Sequence, residues 1–219
     1  MPLVSFVSEK QRKRGISQCQ KPRGWIGRLV LRSMNRRHAR VTDWGLQPIA
    51  IRDRDTILDV GCGGGRTLTK LAAAMSRGVV HGADYSLESI QAARRGNRAL
   101  IEDGRVALQC ASVSELPYAE GSFDLVTAIE THFWWPDIGR GMREAFRVLK
   151  PGGRMVIVAE FYNGPKYGKY VDRLSRYTTM AILDVEQHRA LFADAGFAEI
   201  SVVEDQKAGW IRCVGTKPP

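Results

Sequence analysis

Residues 57–66 read Ile57-Leu58-Asp59-Val60-Gly61-Cys62-Gly63-Gly64-Gly65-Arg66 and are the most informative part of the chain. Its first half belongs to an apolar, β-branched run over residues 56–60, which predicts a short buried strand. The glycines predict a tight turn in which the backbone approaches a neighbouring group, because glycine has no Cβ to obstruct it. Residues 66–75 are rich in Leu and Ala and predict a helix. The stretch is therefore typical of one strand–loop–helix unit of an α/β sheet.

The same alternation continues towards the middle of the chain. Further strands are predicted over residues 79–84, 106–110, 123–129 and 154–159. A helix is predicted over residues 86–102, with Ser86 as its N-cap. Another is predicted over residues 138–149, and Pro151-Gly152-Gly153 is interpreted as the stop between this helix and the next strand.

The C-terminal part predicts one more helix and two strands. Asp184 and Gln187 have the spacing of a capping box for a helix that ends near Gly196. The strands predicted over residues 198–204 and 210–216 have no helix between them, so we expect them to form an antiparallel hairpin at one edge. The whole pattern predicts an α/β fold, with a mostly parallel sheet and helices on both faces.

The net charge of +10 is concentrated near the N-terminus. Residues 1–50 contain eleven Lys and Arg against two acidic residues, Glu9 and Asp43, and the remainder of the chain is nearly neutral. We expect a basic mobile arm over residues 1–21 and a helical cap over residues 22–50, followed by the main domain over residues 51–219. A basic arm is typical of contact with nucleic acid, an anionic surface or an acidic substrate, and solvated surface charge is the alternative.

Composition excludes several classes of protein. With 44% hydrophobic and 26% charged residues, the chain is neither a low-complexity polymer nor a mostly disordered protein. It has no uncharged apolar run of the roughly 18 residues needed to cross a bilayer. Its four cysteines are dispersed without a CxxC pair, which argues against a disulfide framework or a zinc site. We therefore expect a folded cytoplasmic protein that holds no metal.

Two features indicate a nucleoside ligand. The second predicted strand ends at Asp84, nineteen residues beyond Gly65, where a carboxylate can accept hydrogen bonds from the hydroxyls of a ribose. A nicotinamide site would need Gly or Ala where this chain has Arg66, and the Gly-Lys-Ser/Thr of a phosphate-binding loop does not occur. The favoured ligand is a nucleoside cofactor without a pyrophosphate.

Four blocks in this order resemble the class I S-adenosylmethionine-dependent methyltransferases, in particular the compact bacterial type 11 group that includes ubiquinone and sterol methyltransferases. The resemblance covers roughly residues 43–205. The blocks are Ile57-Leu-Asp-Val-Gly-Cys-Gly-Gly-Gly65, Gly82-Ala-Asp84-Tyr-Ser, Leu116-Pro-Tyr-Ala-Glu-Gly-Ser-Phe-Asp-Leu-Val126 and Arg147-Val-Leu-Lys-Pro-Gly-Gly153. It implies a Rossmann-like, doubly wound, seven-stranded sheet with an antiparallel C-terminal hairpin and an N-terminal helical lid, and residues 51–219 as the catalytic domain.

The resemblance also implies roles for residues around the cofactor, S-adenosyl-L-methionine, and its product, S-adenosyl-L-homocysteine. Asp84 would bind the ribose hydroxyls and Tyr85 would lie beside the adenine. Similar enzymes often carry an acidic residue facing the adenine amino group where this chain has Ser112 followed by Val113, so a hydroxyl or a backbone carbonyl would substitute. The residues that would receive the methionine portion are Asp59, Gly61, Cys62, Gly63 and Gly65.

Methyl transfer from a sulfonium needs alignment, a dry cavity and a proton acceptor where the nucleophile carries a proton. It needs no metal and no covalent enzyme intermediate. The fourth predicted strand ends next to the expected position of the methyl group, so Glu130 and His132 are the candidate catalytic residues, and Glu130 also a candidate cofactor ligand. Either side chain could instead be a structural hydrogen-bonding group.

Aromatic residues predict the acceptor pocket. Trp134 and Trp135 follow the fourth strand, and Tyr162 and Tyr167 fall in a probable substrate-covering insert over residues 161–183. If they line one cavity, the acceptor is a small molecule with an aromatic or apolar body. An amphipathic helix over residues 25–37 could close over this cavity and present an arginine or His38 to an anionic acceptor, or it could simply cover the sheet.

The leading hypothesis is transfer of a methyl group to an oxygen or nitrogen atom of a small molecule. One alternative is an RNA or protein methyltransferase steered by the basic arm, which steep salt dependence would reveal. Another is a non-catalytic module that binds S-adenosylmethionine.

Overall fold

The computed structural model describes residues 38–175 and 178–219, and the side chains of residues 172–175 are not described. The basic arm expected over residues 1–21 and the helix expected over residues 25–37 lie outside these ranges. Of the cap predicted over residues 22–50, residues 38–50 are described. They contain the first helix, α1, Ala39–Leu46.

The described residues contain seven strands and seven helices; each strand lies where one was predicted, whereas the helix over residues 168–175 was not predicted. The strands are β1 Thr56–Val60, β2 Val79–Asp84, β3 Val106–Cys110, β4 Phe123–Ile129, β5 Leu149–Ala159, β6 Ala198–Asp205 and β7 Trp210–Thr216. The helices after α1 are α2 Arg66–Ala73, α3 Leu87–Gly96, α4 Arg98–Glu102, α5 Ile138–Val148, α6 Gly168–Ser175 and α7 Val185–Asp194, with a 3-10 turn over His132–Trp134.

The strands form one sheet in the order β3-β2-β1-β4-β5-β7-β6. The first five strands pair in parallel, and β7 pairs antiparallel with both β5 and β6. The chain order reverses beside β1, where β1 pairs with β2 on one side and β4 on the other. The prediction of a mostly parallel, doubly wound sheet with an antiparallel C-terminal hairpin is confirmed, and the reversal places the ligand site beyond the ends of β1 and β4.

Consecutive residues of the central strands enter two different buried clusters. Leu58, Val126 and Ile157 belong to one cluster, and their neighbours Ile57 and Leu125 belong to the other. Because side chains alternate across a sheet, each face of the central strands is covered by apolar packing. The ligand-binding edge therefore rests on strands that are buried on both faces.

Two predicted boundaries were wrong. The helix predicted over residues 86–102 is two helices, because the backbone of the buried Asn97 leaves the helical conformation, with φ −117° and ψ 24°. Its side-chain amide donates to the carbonyls of Gly65 and Ala93, each at 3.0 Å. The expected stop at residues 151–153 lies inside β5, because the Gly152 N–H donates to the Lys217 carbonyl and the Lys217 N–H to the Gly153 carbonyl, both at 2.8 Å. Backbone pairing thus overrides the turn tendency of Pro-Gly-Gly.

Two predicted helix starts are confirmed. Ser86 caps α3, its hydroxyl accepting the N–H of Ser89. Asp184 and Gln187 form the reciprocal capping box of α7. Gly45 in α1 lies so close to β5 that a Cβ there would be 2.4 Å from a methyl carbon of Val158. This close approach packs the end of α1 against β5, and His38 at the start of α1 lies beside Glu160, which follows β5.

Candidate active site

A cavity opens at the carboxyl ends of β1, β2 and β4, at the point where the strand order reverses. The start of α1 closes one side of it through His38 and Thr42. Ten residues singled out by the sequence line the cavity: Gly61, Cys62, Gly63, Asp84, Tyr85, Ser112, Val113, Glu130, Trp134 and Trp135. These residues are separated by up to 74 positions along the chain, and the parallel sheet brings them together.

The glycine loop fits tightly against the segment after β4. Gly61 has φ +74°, and a Cβ on it would lie 2.0 Å from the Thr131 hydroxyl oxygen. The N–H groups of Gly61 and Cys62 both donate to the Ala83 carbonyl, at 2.7 and 3.1 Å. The loop is thereby held against the end of β2, with its backbone at the cavity surface.

Asp84 joins the second strand to this loop. Its carboxylate accepts the N–H of Gly63 at 3.0 Å and the N–H of Ser86 at 2.8 Å. Burial raises the pKa of Asp84 above its ordinary value, and hydrogen bonds involving Ser86, Gly63 and Ser89 oppose this shift. A carboxylate has about four acceptor positions, so Asp84 keeps capacity for a donor from a ligand in the cavity.

Asp59 lies behind the loop, and the structure does not bring it to the cavity surface. Its side chain is buried within the sheet and accepts a 2.7 Å hydrogen bond from the Thr127 hydroxyl. Burial is the main cause that raises the pKa of Asp59 to about 7. This placement does not support direct contact between Asp59 and the methionine portion of the cofactor. The hydrogen bond with Thr127 instead links β1 to β4 beneath the site.

Two other loop residues differ in role. Cys62 lines the cavity, and burial raises its thiol pKa well above the ordinary value, so it is a small neutral wall group and not a nucleophile. Gly65 does not line the cavity. A Cβ on Gly65 would lie 2.6 Å from Asn97 Nδ2 and 2.8 Å from the Ala93 Cβ, so this glycine permits close packing of α3 against the loop.

The segment expected beside the adenine is present on the opposite wall. Tyr85 is partly exposed at the cavity rim, and Ser112 and Val113 line the wall beyond β3. The Ser112 hydroxyl accepts the Ser114 N–H at 3.2 Å, which fixes the turn. The hydroxyl proton remains available to an acceptor atom, since a hydroxyl both accepts and donates.

Glu130 stands at the end of β4 in a left-handed backbone conformation, with φ 60°. Its carboxylate accepts the Glu160 N–H from the end of β5, and its own N–H donates to the Val158 carbonyl at 2.8 Å. Non-glycine residues in this conformation are uncommon and cluster at functional sites. The strand end thus turns a buried carboxylate towards a cavity whose adjoining wall is formed by Trp134 and Trp135.

His132 points away from the cavity lining and into the interior. It is 1% exposed, and its Nε2 lies 3.0 Å from Nε2 of His188 on α7. The His188 Nδ1 lies 2.7 Å from the Asp184 carbonyl oxygen. Because a carbonyl only accepts, the neutral His188 ring carries its proton on Nδ1 and its Nε2 is an acceptor. The Nε2 of His132 is therefore the donor between the two rings. Burial, reinforced by His188, lowers the pKa of His132 well below its ordinary value. The structure therefore does not place this ring where an acceptor in the cavity would meet it.

The two tyrosines expected at the substrate pocket are also placed elsewhere. Tyr162 is 1% exposed and packs in the core cluster, because the chain doubles back tightly at Gly164 beside its ring. Tyr167 stacks on Phe161, with ring centroids 4.5 Å apart, and carries the Lys166 ammonium 5.1 Å from its ring. The described part of the insert thus packs against itself and the core.

Sequence reasoning missed several lining residues. Thr131 fills the space beside Gly61, and Thr42, Thr67 and Ser89 add hydroxyl groups from three helices. Single hydroxyl residues give no local signal of a site. The possibility that His38 reaches the acceptor agrees with its place in the cavity lining.

Comparison with known proteins gives the class. Residues 58–157 match the family model of a methyltransferase domain. The chain is 37% identical over 119 residues to the 27-O-demethylrifamycin SV methyltransferase of Amycolatopsis mediterranei. The aligned region is 54% of this chain and 43% of that protein. It is 36% identical over 103 residues to a ubiquinone/menaquinone biosynthesis C-methyltransferase of Geotalea daltonii, covering 47% of this chain and 44% of the relative. The chain thus spans less than half the length of these two relatives.

Solved structures share the fold. A chain in the complex of the Haloferax volcanii Trm112 methyltransferase activator with a methyltransferase superposes with a TM-score of 0.75 at 22% identity, covering 89% of this chain and 96% of that chain. The fold is that of the class I methyltransferases, and the glycine loop lies inside the segment that matches the methyltransferase family model. Over residues 58–157 the chain is similar to the methyltransferase domain of the type 11 family. No helix in the described ranges is long and apolar enough to span a membrane.

Proposed function

We propose that this protein transfers a methyl group from S-adenosylmethionine to an oxygen or nitrogen atom of a small molecule with an aromatic or apolar body. The observation that carries the proposal is the pairing of Asp84 with the Gly61–Gly64 loop at one cavity. The loop leaves no room for a side chain at Gly61, and the Asp84 carboxylate holds the Gly63 N–H at 3.0 Å. This combination fits the ribose and methionine portions of the cofactor.

When bound, S-adenosylmethionine supplies an electrophilic sulfonium methyl group. The chain contributes a fixed backbone cradle, the Asp84 carboxylate for ribose hydroxyls, and a cavity wall of Trp134 and Trp135 that excludes water. Glu130 provides the carboxylate on the acceptor side, where it would accept a proton or a hydrogen bond from the nucleophile. His132 has no role in the transfer, because its ring is buried and turned towards His188.

The small-molecule class is supported by the wall chemistry and by the relatives. Two tryptophans and Pro136 present flat apolar surface, which suits an aromatic or apolar acceptor. The name of the Amycolatopsis mediterranei relative describes O-methylation of a small molecule. Oxygen is therefore the first atom to test, and nitrogen the second.

A calorimetric titration with S-adenosylhomocysteine tests the cofactor site without the acceptor, and NAD serves as the comparison ligand. We expect selective, saturable binding that Asp84→Ala weakens by about 1.5–3 kcal/mol, the range for hydrogen bonds to a charged group. Asp84→Asn, which keeps one acceptor oxygen, should lose less. Asp103→Ala, an exposed carboxylate after α4, is the matched control and should bind as the wild type does.

Equal affinity in wild type and Asp84→Ala would remove the ribose assignment. No binding by folded wild-type protein would overturn the cofactor proposal. Given binding, labelled methyl donor with small phenols, then amines, then RNA, would identify the acceptor class. Methylation of RNA alone, falling steeply with salt, would replace the small-molecule proposal.

A further inference from the structure

Three potential metal ligands meet at the acceptor side of the cavity. His38 comes from the start of α1, Glu130 from the end of β4 and Glu160 from the end of β5. Each offers one ligand atom, and the three atoms lie within 4.8 Å of one another. His38 and Glu130 also line the cavity, so the cluster lies within reach of an acceptor bound there.

The spacing suits one small cation. The His38 Nε2 and the Glu160 Oε1 are 3.3 Å apart. Two metal bonds of about 2.1 Å at right angles would place their ligand atoms roughly 3 Å apart. The Glu160 side chain is 35% exposed and can rotate, whereas Glu130 is held by its hydrogen bond to the Glu160 N–H. A rotation of the Glu160 side chain could therefore bring its carboxylate oxygen to an ion that Glu130 and His38 also contact.

Electrostatics favour a cation at this point. Two carboxylates approach each other at a partly buried place, and like charges at such a separation repel strongly when water is displaced. His38 Nε2 lies 3.3 Å from Glu160 Oε1, and a neutral imidazole can act as a metal ligand in that place. A divalent cation would interact favourably with both carboxylates at once.

We infer that His38, Glu130 and Glu160 form a binding site for a first-row divalent cation of the Mn²⁺ type. The donor set decides the class, because an imidazole is a poor ligand for Mg²⁺ and Ca²⁺ while two carboxylates suit Mn²⁺. Three protein ligands leave open positions in an octahedral shell. In those positions water or neighbouring oxygen atoms of the acceptor would bind.

The role of the ion rests on the proposed function. A cation held here would fix an acceptor hydroxyl beside the cavity and favour its ionised form, which is the better nucleophile for methyl transfer. The acceptor class that profits most carries two adjacent oxygen atoms, as a catechol does. The binding of the ion itself does not depend on the methyl transfer.

Mn²⁺ titration followed by electron paramagnetic resonance tests the site, using the full chain without cofactor or acceptor. We expect one ion per chain in the wild type and at least a tenfold loss of affinity in His38→Ala and in Glu160→Gln. Glu102→Gln, which removes a carboxylate paired with Arg98 on α4, is the control and should bind as the wild type does. Mg²⁺ should compete poorly and Zn²⁺ well.

Circular dichroism checks that each variant is folded, and His38→Gln replaces His38→Ala if the latter is not. Thermal unfolding supplies a second measurement, because an ion that binds only the folded state raises the midpoint in the wild type and not in Glu160→Gln. Absence of saturable Mn²⁺ binding, or equal binding by wild type and both variants, would overturn the site. Titration with S-adenosylhomocysteine in a chelator is a separate experiment, so failure of either proposal is seen independently.

Discussion

Gly61 is the residue at which the site is least able to change. It combines a left-handed backbone, φ +74°, with a neighbouring hydroxyl that leaves no space for a methyl group. A left-handed backbone costs an L residue about 1–2 kcal/mol by itself. The contact with Thr131 adds a steric cost because both residues belong to segments anchored by central strands.

We expect Gly61→Ala to lower the free energy of unfolding by about 2–5 kcal/mol, the sum of backbone strain and overpacking. The matched control is Gly104→Ala, since Gly104 has φ +70° and nothing within 4 Å of an added Cβ. It should lose about 1 kcal/mol, the strain alone. Urea unfolding of both variants measures the difference, and equal losses would mean that Thr131 moves aside without cost.

The buried pair of His132 and His188 leads us to expect that the free energy of unfolding depends on pH. The folded-state pKa of His132 is lowered, so this group stabilises the fold fully above its unfolded value of 6.5, and that contribution is lost as pH falls below it. Asp59 acts in the opposite sense. Its pKa is raised from 3.8 to about 7 in the folded state, so its contribution to the free energy of unfolding is full below pH 3.8 and is lost as pH rises towards 7.

Comparing wild type with His132→Leu separates the two effects, because Asp59 is common to both. Between pH 7 and pH 5 the wild type should lose about 2 kcal/mol more free energy of unfolding than the variant, the linkage expected for one buried neutral histidine. Urea unfolding at several pH values gives the two curves. Parallel curves would show that His132 takes up its proton in the folded state as well.

At the scale of the element, helix α7 connects a local signal with the interior. Asp184 and Gln187 cap its start, and His188, one turn further, reaches His132 beside the site. The Asp184 side chain accepts the N–H of Gln187, while its carbonyl accepts from the His188 ring. The cap therefore positions the first turn that carries the partner of His132.

Asp184→Ala should lower the free energy of unfolding by about 1 kcal/mol, within the range of N-cap replacements. Asp194→Ala, the same substitution at the exposed C-terminal residue of α7, is the control. Asp194→Ala should leave the free energy of unfolding unchanged or raise it slightly, because a negative charge is unfavourable at the C-terminal end of the helix dipole. Thermal unfolding of the two variants compares them, and equal destabilisation would argue against the capping box as the source of stability.

At the scale of the whole molecule, the described residues contain the seven strands, both apolar clusters and the cavity. We therefore expect removal of residues 1–21 to leave cooperative unfolding and the affinity for S-adenosylhomocysteine unchanged, because residues from His38 onward supply the strands, the two apolar clusters and the cavity lining described above. Calorimetry and thermal unfolding of the shortened chain test this. A shortened chain that no longer unfolds cooperatively would assign the arm to the core.

Local sequence patterns were sufficient to predict the strands, the glycine turn and the helix caps. Five of the seven strands have the predicted bounds, because short apolar runs between turn residues are local signals. Gly61 and Asp84 could be placed at the ligand edge because the ends of neighbouring parallel strands meet there.

Which side chains face the cavity depends on contacts between distant parts of the chain. Glu130 and His132 are two positions apart, yet Glu130 lines the cavity and His132 bonds a histidine 56 positions away. The left-handed turn at Glu130 reorients the chain after β4, and no periodic pattern encodes such a turn. The meeting of His38, Glu130 and Glu160 likewise depends on packing of α1 against β5, because long-range contacts and not local propensity bring those three elements together.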